Sequence, residues 1–283
     1  MTPITEGPAY TFSTGSFPVA AGTELTQCYY APAPADVDIA VTRFTATMRH
    51  GSHHFNFFYL PPSVNHPPEG LGDCTEALRI SLAGSQWDSI DQALPDGTAL
   101  KIPRGSWIAL ESHFVNATDA EQQGGVDVTV HTVDATRVKD WVGIFFNLMD
   151  RIKVPPRTEQ VLRGRCAGYL GANVFSLTSH MHHFGSTFEI NLYDFDKQTS
   201  TSLYTNRDYE HPRVDNYYTD PIHLGPNQGF EWKCHYKNDR TSPLVGGDSA
   251  LDNEMCIMVA FYYPSMSDDP YCFTNAAVDS VGP

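Results

Sequence analysis

Charged residues are scarce in this sequence, since Asp, Glu, Lys and Arg make up only 18% of its 283 residues. Basic residues are fewer than acidic ones, with 18 Lys and Arg against 33 Asp and Glu, so the formal net charge is −15. A negatively charged surface repels polyanions and has few basic side chains that could displace their counterions. Nucleic acid is therefore not an expected partner.

Long apolar runs and CxxC pairs are also missing. The longest apolar run, near Trp141 to Met149, is far shorter than the roughly 18 residues of a membrane-spanning helix. Without a CxxC pair, the six cysteines disfavour a zinc ribbon or dithiol redox site and favour disulfides. Disulfides predict a secreted or periplasmic, extracytoplasmic location. No signal peptide is visible, because no basic segment followed by an apolar stretch opens the sequence.

Short segments rich in β-branched and aromatic residues recur between glycines and prolines, and they predict strands. These segments are DIAVTRFTAT, HHFNFFYL, SWIALESHFV, GVDVTVHTV, STFEINLYDF, GFEWKCHYK and CIMVAFYYP. In GVDVTVHTV, Val126, Val128 and Val130 share one face while Asp127 and Thr129 share the other, as in a sheet that packs on one side. The sequence therefore predicts an all-β protein of antiparallel β-sandwiches.

A polar, basic stretch from Asp150 to Arg165 contains two consecutive prolines, which cannot donate to a sheet ladder. It is interpreted as the connection between two domains. The predicted domains are residues 1–152 and 153–283.

The first of two histidine clusters contains the adjacent pair His53 and His54. Adjacent residues of a regular strand face opposite ways, so the pair can share a metal ion only where the backbone is irregular. Gly51 makes such an irregularity plausible. His113, on another predicted strand, supplies a third imidazole. Three imidazoles suit zinc or either oxidation state of copper, so this cluster alone leaves the metal open.

The second cluster is the segment from His180 to His183. If the strand continues through it, His180 and His182 project from one face and can bind one metal ion, while His183 faces away. Met181 is expected in the core. Met255, where an acidic loop enters an apolar strand beside Cys256, offers a soft thioether that prefers Cu(I) to zinc or iron.

In this order along the chain, the motifs resemble the copper type II, ascorbate-dependent monooxygenases, which include the peptidylglycine α-hydroxylating enzyme and dopamine β-hydroxylase. The matching landmarks are the pair His53 and His54, LESHF around His113, HMHHFG from His180, KCHY near Cys234 and EMC around Met255. The resemblance spans roughly residues 28 to 272, and the ordered set is more specific than any single motif.

The resemblance implies two jelly-roll-like β-sandwiches that face each other across a cleft, each with one copper ion. One copper, bound by His53, His54 and His113, transfers electrons, and the other, bound by His180, His182 and Met255, is the catalytic site of dioxygen activation. The implied reaction is hydroxylation of a C–H bond of a small or peptide-like substrate, with ascorbate as the reductant. The implied disulfides are Cys28–Cys74, Cys166–Cys272 and Cys234–Cys256.

Three positions depart from the peptide-hydroxylating members of the family. Thr178 stands where an arginine helps to bind the peptide carboxylate, and Ile257 and Val259 stand where an asparagine and a tyrosine are found. A carboxylate buried without such partners is unfavourable, so peptides that end in glycine are not expected substrates.

Two other functions remain open from the sequence. One is a copper-binding or copper-storage protein without catalysis. The other is a zinc hydrolase with a three-histidine site and Glu111 as its base. His50, close to the first pair, is a candidate for a supporting contact there. Asn116 begins a glycosylation sequon, to which no role is assigned.

Overall fold

The computed structural model describes residues 7–75, 78–266 and 271–278. The chain divides into two compact units between Val142 and Gly143. Within the described residues the secondary structure is strands and one 3₁₀ turn, Ala135–Arg137, so the all-β prediction is confirmed. No helix in these residues is long and apolar enough to cross a membrane.

The first unit contains thirteen of the described strands, which are listed in chain order. They are β1 (Ala9–Ser13), β2 (Phe17–Val19), β3 (Glu24–Pro32), β4 (Ile39–Met48), β5 (Ser52–Leu60), β6 (Gly70–Gly72), β7 (Ile80–Ser85), β8 (Ser89–Ala93), β9 (Thr98–Ile102), β10 (Trp107–Val115), β11 (Gln122–Gly124), β12 (Val126–Val133) and β13 (Asp140–Trp141).

Two larger sheets and a small ribbon make up this unit. One sheet has the order β1-β12-β4-β9-β13, with β8 also paired to β4, and the other has the order β6-β3-β10-β5-β7. The ribbon joins β2 to β11. Phe12 of the first sheet contacts Phe57 of the second, with ring centroids 5.4 Å apart, so the two sheets pack face to face.

The second unit contains the remaining thirteen described strands. They are β14 (Gly143–Asp150), β15 (Lys153–Val154), β16 (Thr158–Ala167), β17 (Asn173–His180), β18 (Gly185–Asp194), β19 (Thr199–Asn206), β20 (Asp215–Asn216), β21 (Ile222–His223), β22 (Gln228–Asn238), β23 (Leu244–Val245), β24 (Ile257–Tyr263), β25 (Tyr271–Asn275) and β26 (Ala277–Val278).

This unit repeats the plan of the first. Its sheets have the orders β20-β17-β24-β14-β25, with β21 also paired to β17, and β19-β18-β22-β16-β26, and β15 and β23 form the ribbon. Leu177 and Met258 of one sheet pack against Phe188 and Trp232 of the other in a single buried core. Burial of these apolar side chains supplies the main driving force for folding of the unit.

The stretch Asp150–Arg165 is a correction to the sequence analysis, because it is not a simple connection. Lys153–Val154 pairs with β23, and β16 begins at Thr158, just beyond the two prolines. Strand β14, before this stretch, pairs with β24 of the second unit. The division in the structure therefore lies before β14, whereas the sequence-based boundary followed it.

Three disulfides connect strands and loops within the units. The pairs, which are those that the resemblance implies, are Cys28–Cys74, Cys166–Cys272 and Cys234–Cys256. The first lies in the first unit and the other two lie in the second. Cys234–Cys256 joins β22 to the segment before β24, and so it links the two sheets of the second unit.

Asn116, the sequon asparagine, is buried and fully engaged. Its Nδ2 donates to the carbonyls of Val19, Ala20 and Ala120, and its Oδ1 accepts from the backbone N–H of Thr118. The side chain thus connects one end of the β2–β11 ribbon, where β2 ends and β11 begins, to the end of β10. Its role in this structure is to satisfy buried backbone groups.

We expect Asn116→Ala to lower the free energy of unfolding of the first unit by about 3 kcal/mol, because it removes the donor to the buried carbonyl of Val19 and to the partly buried carbonyls of Ala20 and Ala120. Chemical denaturation measures the change. The matched control is Asn65→Ala, since Asn65 is exposed, and its effect is expected within about 0.5 kcal/mol. Equal stability of the two variants would contradict the role assigned to Asn116.

Candidate metal centres

His53, His54 and His113 come together in the first unit. The three ring centroids are separated by 5.0 Å (His53 to His54), 5.2 Å (His53 to His113) and 5.0 Å (His54 to His113). His113 on β10 pairs with His54 on β5, and Nδ1 of His113 is 3.3 Å from Nε2 of His54. Three imidazoles this close form a compact all-nitrogen set that fits copper or zinc.

A β-bulge brings the two adjacent histidines together. His113 pairs with His54 but Phe114 pairs with Ser52, so His53 is the extra residue on β5. Gly51 precedes the bulge with φ of +92°, and a Cβ atom there would lie 2.8 Å from the ring of Phe114. Glycine is therefore required by both the backbone conformation and the space.

Glu24 and Asn56 support the imidazoles, and the sequence analysis missed both. Oε2 of Glu24 is 3.3 Å from Nε2 of His113, and Nδ2 of Asn56 is 3.4 Å from Nδ1 of His54. When Nε2–H of His113 donates to Glu24, the lone pair of the imidazole is on Nδ1, the nitrogen that faces His54. Glu24 therefore fixes the tautomer that a metal site needs.

Glu111, the candidate base of a zinc hydrolase, is held by other groups. Its Oε2 accepts from the guanidinium of Arg79 at 2.7 Å and its Oε1 accepts from Nδ2 of Asn56 at 2.8 Å. A carboxylate fixed in this way orients Asn56 and balances a partly buried arginine, and it is poorly placed to take a proton from water. These contacts disfavour the hydrolase.

His50 lies away from this cluster. Its side chain is fully exposed, and its Nδ1 is 3.5 Å from a carboxylate oxygen of Asp88. The structure shows no contact between this ring and the three clustered imidazoles.

His180 and His182 form the second cluster, with ring centroids 5.1 Å apart. The strand prediction for this pair needs correction, because β17 ends at His180 and His182 lies in the loop before β18. Nδ1–H of His182 donates to the carbonyl of Asn253 at 3.0 Å, which leaves the lone pair on Nε2. This tautomer fits metal binding through Nε2, so the residues fit a copper ion.

Met255 and Met181 occupy different environments. Met181 is 1% exposed within the core of the second unit, as predicted, whereas Met255 is only partly buried and lies outside that core cluster. Met255 lies two residues before Ile257, the first residue of β24, which pairs with His180. Its carbonyl accepts from the hydroxyl of Tyr236 at 2.7 Å, and the neighbouring Cys256 is disulfide-bonded. The backbone of residue 255 is thus held firmly near the end of β17.

His183 is exposed, and its Nδ1 contacts the carbonyl of Ala250 at 3.0 Å. Its ring packs on Phe184. These contacts fit the structural role that the sequence suggests for it.

Glu254, which the sequence analysis also missed, is fully buried beside this cluster. Its Oε2 accepts from the backbone N–H of His182 at 2.9 Å, and its Oε1 accepts from that of Phe184 at 2.7 Å. Burial raises the pKa of this carboxyl to about 7, against the opposing effect of the backbone hydrogen bonds. The only signal in the sequence is an acidic residue just before an apolar strand.

The structure thus describes an all-β protein of two sandwich units, each with a histidine cluster suited to a metal ion. Residues 142–281 match the model of the copper type II ascorbate-dependent monooxygenase, C-terminal domain. Over these residues the chain belongs to that family, which confirms the resemblance found in the sequence. The family is one of copper- and ascorbate-dependent enzymes.

No curated protein shows a significant match to the chain. Among solved structures, the major capsid protein P2 from bacteriophage PM2 is 7% identical with a TM-score of 0.37, over 92% of this chain and 98% of that one. Vicilin from Solanum melongena is 6% identical with a TM-score of 0.20, over 88% and 74% of the two chains. Scores this low give no argument about function.

Proposed function

We propose that the protein is a dicopper monooxygenase that hydroxylates a C–H bond with dioxygen and a one-electron reductant such as ascorbate. The observation that carries the proposal is the pair His180 and His182, fixed at the end of β17 within the region that matches the family. The three disulfides of the protein suit an oxidising, extracytoplasmic compartment.

In the first unit, His53, His54 and His113 would hold the copper that stores and delivers an electron. All-imidazole ligation accommodates both oxidation states of copper. Glu24 keeps Nδ1 of His113 available, and the bulge at His53 keeps the other two rings beside it.

In the second unit, His180, His182 and Met255 would hold the catalytic copper. When bound, this copper supplies the electron-rich centre at which dioxygen is activated. The chain supplies the positioning, because the carbonyl of Asn253 orients the His182 ring and Tyr236 holds the backbone of Met255. A soft sulfur ligand would favour Cu(I) in this site.

The sheet face next to His180 is apolar, which bears on the substrate. Directly paired residues in a sheet point to the same face. Ile257 pairs with both His180 and Leu148, and Val259 pairs with both Thr178 and Phe146. The two rows therefore place aliphatic and aromatic side chains beside the imidazole.

A pocket of about 430 Å³ opens in the same region of the second unit, and its wall contains Leu148, Met255 and Ile257 as well as the charged residues Asp150, Arg151 and Asp248. Its volume suits a small ligand. The apolar part of this wall, beside a candidate copper ligand, suits a substrate whose reacting carbon belongs to an uncharged hydrocarbon part. We propose a small substrate with an apolar body, rather than a peptide held by its carboxylate.

We expect His113→Ala to lower the copper content to about half and to abolish turnover, because the first site loses a ligand while His180 and His182 stay loaded. Metal analysis and oxygen uptake with ascorbate measure the two effects. The control is His66→Ala, since His66 is exposed and stacks on Trp107. Full activity of His113→Ala would overturn the electron-transfer role.

We expect Met255→Ala to lose the second copper while the first remains, because two imidazoles alone bind Cu(I) more weakly. X-ray absorption of the reduced protein measures the copper–sulfur contribution, which this variant should lack. Met266→Ala is the control, since Met266 is exposed. Retention of the sulfur signal in Met255→Ala would exclude this ligand, and one tightly bound zinc in the wild type would favour a hydrolase.

We expect phenethyl compounds and apolar amines to be oxidised at least about tenfold more efficiently than peptides that end in glycine. The reason is that Ile257 and Val259 offer a carboxylate no polar partner, and Thr178 offers only a hydroxyl. Ascorbate-dependent oxygen uptake across these compounds provides the comparison. Preference for the glycine-terminated peptides would contradict the apolar substrate. Two bound coppers without turnover of any compound would favour copper storage.

A further inference from the structure

Glu254 lies where the chain leading to Met255 meets the loop that carries His182. Besides accepting from His182 and Phe184, its Oε2 is 3.3 Å from the backbone N–H of Met255. Gly185 is a further backbone donor to this carboxylate. One side chain thus collects the N–H groups of a turn and of the segment beside it.

The backbone of Glu254 is itself fixed. Its N–H donates to the carbonyl of Val245 at 3.0 Å, and its carbonyl accepts from the N–H of Gly247 at 3.2 Å. The preceding carbonyl, that of Asn253, accepts from Nδ1 of His182. Residues 253 and 254 therefore hold His182 at both its backbone and its ring.

Burying this carboxylate has an unfavourable free energy, so its presence indicates a role beyond packing. A fully buried carboxylate loses its hydration, and no basic side chain is paired with it in the described contacts. At an exposed turn, water could accept hydrogen bonds from such backbone N–H groups at a lower cost in free energy. What the carboxylate adds is a fixed distance between two segments that are far apart in sequence.

Resting on the proposed function, we propose that Glu254 is the positioning residue of the second copper site, and that it holds His182 and Met255 at the spacing that one ion requires. It contacts backbone rather than metal or substrate. The disulfide Cys234–Cys256 fixes the other side of Met255, so residue 255 is held from both directions. His180 needs no such support, because its own strand pairs with β24.

The test is Glu254→Gln, measured by copper affinity of the second site in a chelator competition and by the electron paramagnetic resonance of Cu(II). The amide keeps the size of the side chain, but its NH₂ group faces a backbone N–H that needs an acceptor. We expect the second copper to bind about 10- to 100-fold more weakly, the range typical of lost supporting contacts. The first copper should bind unchanged.

The matched control is Glu231→Gln, which alters another buried carboxylate of the same unit. Glu231 is 2% exposed and is bound by Arg165 and Ser200, on β16 and β19. If both variants lose stability but only E254Q loses affinity for the second copper, the positioning role holds. Equal losses of affinity would show a general effect of stability and overturn it, as would wild-type affinity in E254Q.

Should E254Q fail to fold, as circular dichroism would show, Glu254→Asp serves as the second variant. Aspartate keeps the charge but is one methylene shorter, so it cannot reach His182 and Phe184 together. We expect the copper affinity of the second site to fall by less than about tenfold, and the electron paramagnetic resonance spectrum of Cu(II) to change. An unchanged spectrum and affinity overturn the proposal. Absence of a second copper in the wild type would instead overturn the proposed function.

Discussion

Convergence of imidazoles on a β-sheet is limited by the alternation of side chains along a strand. Adjacent residues face opposite ways, so close rings need a break in the strand or residues from different strands. The first unit uses both, since His53 is a bulge and His113 comes from the paired strand. The second unit places His182 beyond the end of β17. Each cluster therefore depends on a local irregularity that the surrounding regular sheet holds in place.

The two units share a framework but not a site. Asn238 repeats the contacts of Asn116, because its Nδ2 donates to the carbonyls of Val154, Pro155 and Ser242, at the corresponding ribbon. His235 precedes Asn238 at the same spacing as His113 precedes Asn116, yet its Nε2 pairs with Glu189. The second unit has its histidine cluster on the other sheet, so the shared framework does not itself determine where a metal binds.

Much of the fold could be predicted because its signals are local. All seven predicted segments lie in strands, and Val126, Val128 and Val130 are buried while their neighbours are more exposed. Strand β16 was missed because its charged residues, such as Arg163 and Arg165, mask an inward row of Leu162, Gly164 and Cys166. Alternation outweighs mean polarity in a strand with one exposed face.

The candidate site could be predicted only in part. Histidines at short spacing are visible in a sequence, and so is an ordered set of motifs. The supporting groups are not visible in the same way, because Glu24 and Glu254 are far in sequence from the histidines that they contact. Their importance depends on the register of strands and on burial, which are properties of the whole fold.

The two carboxylates act on their clusters by different routes, and the difference follows from their surroundings. Glu24 is at a partly exposed strand end, with 22% of its side chain accessible, and it contacts the ring of His113 directly. Glu254 is fully buried and contacts backbone. A loop such as that of His182 has no strand ladder to fix its amides, so it needs acceptors from elsewhere. His113 lies within a strand, where the backbone is already paired and only the ring remains to be oriented. The support that each histidine requires is therefore determined by the part of its residue that the sheet leaves unfixed.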